Sequence, residues 1–201
     1  MPEITASLVK ELRDKSGAGM MDCKKALTAT GGDLEKALDE LRKQGLASAQ
    51  KKSLRATKDG AVDSYIHAGG KIGVLVEVGV ETDFVSRSDP FKEFTHDLAM
   101  HVAAASPRWV TRGEVPAELI EREKAIYAEQ VKGKPENVLE KIVTGKLEKF
   151  LAANCLMEQA FIKDPDRTIE QLRTDLVGVI GENVEVRRFA RFQLGELAEE
   201  A

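Results

Sequence analysis

The sequence predicts an α+β protein: a small helical domain of the ubiquitin-associated type, then a core of antiparallel strands and packed helices with an inserted helical hairpin. Three changes of pattern support this prediction. Apolar residues recur at helical spacing up to Gly45, alternate with a period of two between Val62 and Glu81, and return to helical spacing after Asp89. With 201 residues, 42% of them hydrophobic and 32% charged, the chain can bury a core and remain soluble.

Three short helices are predicted in residues 1–46. Thr5 is placed to cap the first helix, and the second runs from about Met21 to Ala29. Asp33 caps the third helix, which we expect to end at Gly45. A core of this size predicts a unit that is only marginally stable alone.

Residues 47–60 are predicted to form a basic linker before the core domain, which spans residues 61–201. The favoured interpretation is a solvated helix extension or tether, and a weak contact with RNA or an acidic partner is the alternative. The basic residues in question are Lys51, Lys52, Arg55 and Lys58.

A β-hairpin opens the core domain. Residues 62–67 alternate in polarity, Gly69-Gly70 supplies a tight turn, and the valines of Lys71–Glu81 share one face, which we expect to be buried. Asp89 and Pro90 are then expected to begin a helix that packs on this face. A third strand is predicted from Asn183 to Phe192, with Val184, Val186, Ala190 and Phe192 pointing the same way.

A helical hairpin is inserted over residues 114–153. One helix is predicted from Pro116 to Val131 and a second from Pro135 to about Ala153, and their short connection makes them antiparallel neighbours. A last short helix starts near Asp166 or Thr168. The residues expected in the seam of the hairpin are Ile120, Ile126, Tyr127, Leu139, Ile142, Val143 and Phe150.

Composition and motifs argue against several classes of function. The net charge of −4 disfavours nucleic acid as the main partner, and no apolar run approaches the roughly 20 residues needed to cross a bilayer. The chain has no P-loop, and His96 and His101 lack the spacing of a zinc pair. Cys23 and Cys155 form no CxxC motif; reduced thiols in a cytoplasmic protein are the simplest interpretation, and a disulfide between two chains is the alternative. We therefore expect no catalytic residue, no metal and no cofactor.

Two turns carry apolar residues where loops are usually polar. At Met20-Met21 the side chains either plug the small helical core or lie exposed, and the residues alone favour the plug. In Thr82–Val85 the ring of Phe84 either folds back on the core or points outward as a rigid anchor, and the residues alone favour the first.

Several long motifs resemble the elongation factor Ts family. Its N-terminal domain is similar to EITASLVKELRDKSGAGMMDCKKAL followed by GGDLEKALDELRKQG. Its central motif is similar to ETDFV after a strand, and its core to SYIHAGGKIGVLVEV, MHVAAASP and GENVEVRRFARFQLGE. The resemblance covers almost the whole chain.

This resemblance implies an exchange factor that binds elongation factor Tu and promotes release of GDP. It implies that Asp83 and Phe84, flanked by Thr82 and Val85, enter the GTPase near its nucleotide site. The N-domain positions expected to grip the same GTPase are Leu12, Arg13, Met20 and Met21, and His67 is a further candidate contact in the core. For both turns, Met20-Met21 and Thr82–Val85, the resemblance therefore favours the exposed interpretation over the buried one.

The chain departs from longer members of the family, which carry two related copies of the core hairpin region. Here a single hairpin leads directly into ETDFV and MHVAAASP, so we expect a homodimer to rebuild the missing half. NCLMEQAF, where the family often has Gln-Pro before Phe, leaves the local turn at Ala160 open. The competing functions are a ubiquitin-associated-like adaptor and an RNA-associated translation factor.

Overall fold

The protein has the predicted α+β fold over residues 4–133 and 135–196, the part that the computed structural model describes. The predicted domains extend beyond this part at residues 1–3, 134 and 197–201. The helices are α1 (Ala6–Ser16), α2 (Met20–Ala29), α3 (Leu34–Lys52), α4 (Asp83–Ser86), α5 (Asp89–Ala105), α6 (Ala117–Gln130), α7 (Glu136–Asn154) and α8 (Ile169–Ile180). The strands are β1 (Asp59–Ile66), β2 (Ile72–Val80), β3 (Ala160–Phe161), β4 (Asp164–Thr168) and β5 (Val184–Gln193).

A three-stranded sheet in the order β1-β2-β5 and a two-stranded β3-β4 sheet make up the β structure of the described residues. The predicted β1-β2 hairpin is confirmed, with the His67 amide donating to the Ile72 carbonyl at 2.9 Å. Gly60 allows the two strands to approach closely, because a Cβ there would lie 2.2 Å from the Val78 carbonyl oxygen. The short β3-β4 pair, which is antiparallel, was not predicted.

The described chain divides into two compact units. The first unit takes in the residues up to Val62 together with Glu77–Thr95 and Gln171–Val186. The second unit takes in Asp63–Val76, His96–Glu170 and the residues from Arg187 onward. The predicted division at residues 46 and 60 concerns independent folding and stays a prediction.

The first unit contains the three N-terminal helices, whose caps follow the prediction. The Thr5 hydroxyl accepts from the Leu8 amide at 3.3 Å, the Asp33 carboxylate accepts from the Lys36 amide at 3.1 Å, and Gly17 ends α1 with a φ of 67°. The core they enclose comprises Val9, Leu12, Cys23, Ala26, Leu27 and Ala37.

The expected helix end at Gly45 is wrong, because α3 continues to Lys52. A glycine inside a helix costs only about 1 kcal/mol relative to alanine, and the buried Ala49 and the basic last turn favour continuation. Lys52 donates to the Val177 carbonyl at 3.3 Å, and Arg55 pairs with Glu81 at 3.4 Å. Two of the four basic residues therefore bind within the chain, as the helix-extension interpretation expects.

The second unit is organised around His101 of α5, which is fully buried. The Ile162 amide donates to its Nδ1 at 3.4 Å, which requires that nitrogen to be unprotonated, and Nε2 then donates to Gln159 Oε1 at 3.0 Å. Gln159 Nε2 donates to the Ala153 carbonyl at 2.7 Å and so holds the amide in this orientation. Burial lowers the pKa of His101 and so favours the neutral imidazole, although the bond to Gln159 acts in the opposite direction.

The helical hairpin is confirmed as α6 and α7, and it belongs to the second unit. At its base, Val115, Leu151 and Cys155 form a small core that Trp109 covers. Arg112 fastens the base through bonds of 2.6 and 2.7 Å to Glu158 and one of 3.1 Å to Glu148. Ile126, expected in the seam, is instead exposed, since two helices that cover only each other bury a narrow strip.

The buried face of β2 is confirmed, but β5 does not keep one face as predicted. Val184 and Val186 are buried, whereas Ala190 and Phe192 are exposed. Two consecutive exposed residues, Arg187-Arg188, interrupt the alternation and turn the later residues to the other face. None of the described helices is long and apolar enough to cross a membrane.

We predict that His101 makes stability depend on pH. Its pKa is lowered in the folded protein, so the unfolded chain binds the proton more tightly. The free energy of unfolding should be fully retained above about pH 6.5 and should fall as the pH drops below that value. Urea unfolding between pH 7.5 and 5 measures this, and His101→Gln should flatten the dependence whereas the exposed-site control His96→Gln should keep it. An imidazole of His101 that titrates at or above pH 6.5 by NMR would contradict the prediction.

We also predict that neither thiol reacts in the native protein, because Cys23 and Cys155 are both buried and unpaired. Burial additionally raises the pKa of the Cys155 thiol. Reaction with an aromatic disulfide reagent should be at least about a hundredfold slower than in denaturant, since it requires local opening. The variant Ala68→Cys, at an exposed position, is the reactive control. Rapid labelling of a native thiol in the unaltered protein would show that one core is open.

Candidate functional site

The Thr82–Val85 segment forms the start of a one-turn helix, α4, rather than the open loop that the sequence indicates. Thr82 occupies the N-cap position, with extended backbone angles. Val85 is only 6% exposed, whereas the preceding Phe84 is 81% exposed. The helical turn therefore anchors itself with one apolar side chain and presents the other to solvent.

Two carboxylates brace the end of β2 just before α4. Glu182 Oε2 accepts from the amides of Glu81 at 3.1 Å and Thr82 at 3.0 Å, and its Oε1 accepts from the Thr82 hydroxyl at 2.7 Å. In return, Glu81 Oε1 accepts from the Asn183 amide at 2.7 Å. These bonds supply partners to backbone groups that lie beyond the sheet ladder.

Polar contacts also tie α4 to its surroundings. Arg87 pairs with the Asp83 carboxylate, and Arg87 Nε donates to the Asp83 carbonyl at 3.1 Å. A hydrogen bond from Ser86 lowers the pKa of Asp59 in β1, and the Gly60 amide acts in the same direction. An open surface depression of about 410 Å³ lies beside the ring and is lined by Asp83, Phe84, Arg87 and Ser88. The helix that follows begins at Asp89 itself, so Ser88, not Asp89, stands at its N-cap position.

The second candidate surface lies at the start of α2. Met20 and Met21 are exposed, Met21 to 66%, so the plug interpretation of this turn is wrong. Cys23 fills the core beneath them and contacts the Ser16 hydroxyl and the Ala18 carbonyl at 3.7 Å. The turn is thus closed by the smaller side chain, which leaves both methionines free to contact a partner.

Two of the predicted contact residues are internal. Leu12 is fully buried in the three-helix core and Val85 is buried under α4, so neither side chain is available to a partner surface. Each supports an exposed neighbour, Arg13 in one case and Phe84 in the other. Helical geometry is consistent with this arrangement, because adjacent residues point about 100° apart, so one can face the core while the next faces solvent.

Both candidate surfaces belong to the first unit. The last turn of α8 and the residues just after it lie close to both surfaces. A Cβ added to Gly17, just before the methionines, would lie 3.2 Å from Val179 of α8. Two residues after the end of α8, Glu182 holds Thr82. Val179 is itself a half-exposed apolar residue that the sequence did not single out, and nothing local marks Glu182, which lies 100 residues from Thr82.

His67, the remaining candidate, is exposed at the end of the β1-β2 hairpin in the second unit. Its Nδ1 lies 3.1 Å from the Tyr65 hydroxyl, and the Tyr65 ring meets His96 edge-on at 5.9 Å. No group of three or more potential metal ligands occurs among residues 4–133 and 135–196. What the described residues offer is exposed apolar side chains on braced turns, an arrangement suited to contact with another protein.

Comparison with known proteins gives consistent matches. A sequence model of the family described as Elongation factor TS matches residues 45–196. A relative from Geobacter sulfurreducens, named Elongation factor Ts, is 64% identical over 195 residues, which cover 96% of this chain and 90% of that protein. Relatives with the same name from Citrifermentans bemidjiense and Anaeromyxobacter dehalogenans are 61% and 60% identical, over 96% and 98% of this chain and 90% of each relative.

Proposed function

The chain belongs to the elongation factor Ts family, and from this premise we propose that it is the guanine nucleotide exchange factor of elongation factor Tu. It would bind the GDP-bound GTPase, promote release of GDP and so allow GTP to enter, without covalent chemistry of its own. The work would take place in the cytoplasm, with no direct contact to nucleic acid or membrane. The observation that carries the proposal is the Phe84 ring, 81% exposed on a braced helical turn.

Exchange by such a factor is a matter of coupled binding. If the factor binds the nucleotide-free GTPase more tightly than the GDP-bound form, it lowers the affinity of the GTPase for GDP by the ratio of those two affinities. Each factor of ten in this ratio requires about 1.4 kcal/mol of binding free energy. Burial of a phenylalanine side chain supplies roughly 1.5–3 kcal/mol. Insertion of Phe84 would therefore account for one or two factors of ten, and further contacts must supply the rest.

Asp83 would approach the nucleotide site together with the ring. In the free protein its carboxylate pairs with Arg87, and both side chains are largely exposed. An exposed pair of this kind contributes little to stability, so it can open at small cost when a partner offers another ligand. Thr82 would contribute indirectly, since its hydroxyl is engaged by Glu182.

The N-terminal helices would supply the second contact. Met20 and Met21 lie exposed at the start of α2, and Arg13 lies exposed on α1. Methionine side chains adapt to a partner surface with little strain, and arginine adds a directional donor. We place residues 1–46 in this role as a binding domain, with the part of α3 beyond Gly45 and the following residues as its basic connection to the core. His67 stays a secondary candidate.

The proposed homodimer has its own apolar surface in the second unit. Tyr65 contacts His96 of α5, and Arg191 donates to the Ala103 carbonyl of α5 at 3.3 Å. Their sequence neighbours Ile66 and Phe192 therefore point to the opposite face of the sheet. Leu75 shares that face, since it lies between the buried Val74 and Val76.

This open sheet face is apolar and exposed: Ile66 to 66%, Leu75 to 47% and Phe192 to 70%. A contiguous patch of large apolar side chains is characteristic of an interface. We propose a second copy of the chain as its occupant, because a two-fold axis brings the same patch onto itself and would supply the hairpin region that longer family members carry twice.

We predict that Phe84→Ala lowers the rate at which the protein releases labelled GDP from elongation factor Tu by about tenfold to a hundredfold, the range set by the lost apolar burial. The fold should remain, because the ring contributes little to the core. Leu54→Ala is the matched control, since Leu54 is also strongly exposed but lies outside both proposed contact surfaces. Equal release rates for Phe84→Ala and the unaltered protein would refute the role of the ring.

We further predict a dimer in sedimentation equilibrium at micromolar concentration. Phe192→Asp should weaken association at least about a hundredfold, since it places an unpaired charge within a desolvated apolar patch. Leu54→Asp introduces the same charge at an exposed site elsewhere and should leave the dimer intact. A monomer throughout the micromolar range for the unaltered protein would remove the homodimer from the proposal.

A further inference from the structure

The position of α4 depends on one side chain that lies far away in the sequence. The half-buried Glu182 carboxylate accepts three hydrogen bonds from the residues immediately before α4, two from the amides of Glu81 and Thr82 and one from the Thr82 hydroxyl. Hydrogen bonds to an ionised acceptor are stronger than neutral ones. The carboxylate thus fixes the backbone two residues before Phe84.

The helix α4 cannot fix the direction of the Phe84 side chain by itself. It has only four residues, and isolated helices of that length are not stable in water. Its N-cap residue, Thr82, makes no side-chain capping bond to α4, because the hydroxyl that could do so bonds Glu182 instead. The Thr82 hydroxyl therefore bonds Glu182, in the chain that follows α8, instead of capping α4.

Glu182 is itself held in place. Gly181, with a φ of 79°, ends α8 and turns the chain toward β5. The next residue, Asn183, is buried and donates through its backbone to the Glu81 carboxylate at 2.7 Å and through its side chain to the Arg55 carbonyl at 2.9 Å. Residues 81–82 and 182–183 therefore exchange carboxylate-to-amide bonds in both directions.

We infer that Glu182 is a positioning residue for nucleotide exchange: it sets the direction in which Asp83 and Phe84 are presented to the GTPase. The inference rests on the proposed exchange function. It assigns Glu182 no contact with the nucleotide or the partner, since its oxygens are engaged by the protein's own backbone and by Thr82.

Two variants separate positioning from bulk stability. Glu182→Ala removes all three bonds and should lower the stimulation of GDP release about tenfold at subsaturating factor, the equivalent of one net charge-assisted bond. Glu182→Gln keeps an oxygen for the two amides and a donor for the Thr82 oxygen, so it should restore activity to within about threefold. Should the alanine variant fail to fold, Glu182→Asp takes its place, because the shorter side chain withdraws the carboxylate.

A neighbouring acid provides the control. Glu185 of β5 accepts from the Thr57 hydroxyl at 2.5 Å, and Glu185→Ala leaves the three bonds of Glu182 in place, so it should leave exchange unchanged. Amide hydrogen exchange gives a readout independent of the partner. The amides of Glu81 and Thr82 should exchange at least about tenfold faster in Glu182→Ala than in Glu185→Ala, since they have lost their acceptor.

A double variant tests whether Glu182 acts through the ring. If it does, Glu182→Ala should add little to the loss already caused by Phe84→Ala, whereas additive losses would contradict the inference. Unchanged exchange in Glu182→Ala, with a large loss in Phe84→Ala, would overturn the positioning role and leave the proposed function intact. No loss in either variant would overturn both.

Discussion

The carboxylate of Glu182 against the end of β2 is the interaction on which the geometry of the candidate site depends. A strand that leaves its sheet exposes amides that need new partners, and a carboxylate satisfies two of them at once. Beyond the held residues 81 and 82, the next turn buries Val85 and leaves Phe84 exposed.

The methionine turn shows the same arrangement of a buried side chain beside exposed apolar ones. Cys23 and Leu12 fill the small helical core, and Met20 and Met21 are left outside it. In each place a buried residue rigidifies the backbone and its neighbour presents apolar surface. Rigid presentation matters for binding, because a side chain ordered beforehand loses less conformational freedom when a partner covers it.

In the second unit, by contrast, polar side chains are buried and bonded to one another. His101 and Gln159 are buried, and the three hydrogen bonds that join them to each other, to Ala153 and to Ile162 specify one arrangement of α5 against the residues around Ile162. On the sheet face opposite α5, large apolar residues stay exposed instead. The unit thus combines hydrogen-bonded buried polar side chains with an exposed apolar sheet face.

Local patterns in the sequence determined most of the elements: the Thr5 and Asp33 caps, the valine face of β2, and the helices on either side of Gly133 are read from residues near one another. The wrong helix end at Gly45 and the changed face of β5 show where packing and an interrupted alternation override such patterns. Only the tertiary structure decided that Phe84 is exposed while Val85 is buried. The reason is physical: which of two adjacent apolar residues is covered depends on partners such as Glu182, which meet the segment across 100 residues of chain and leave no local signature.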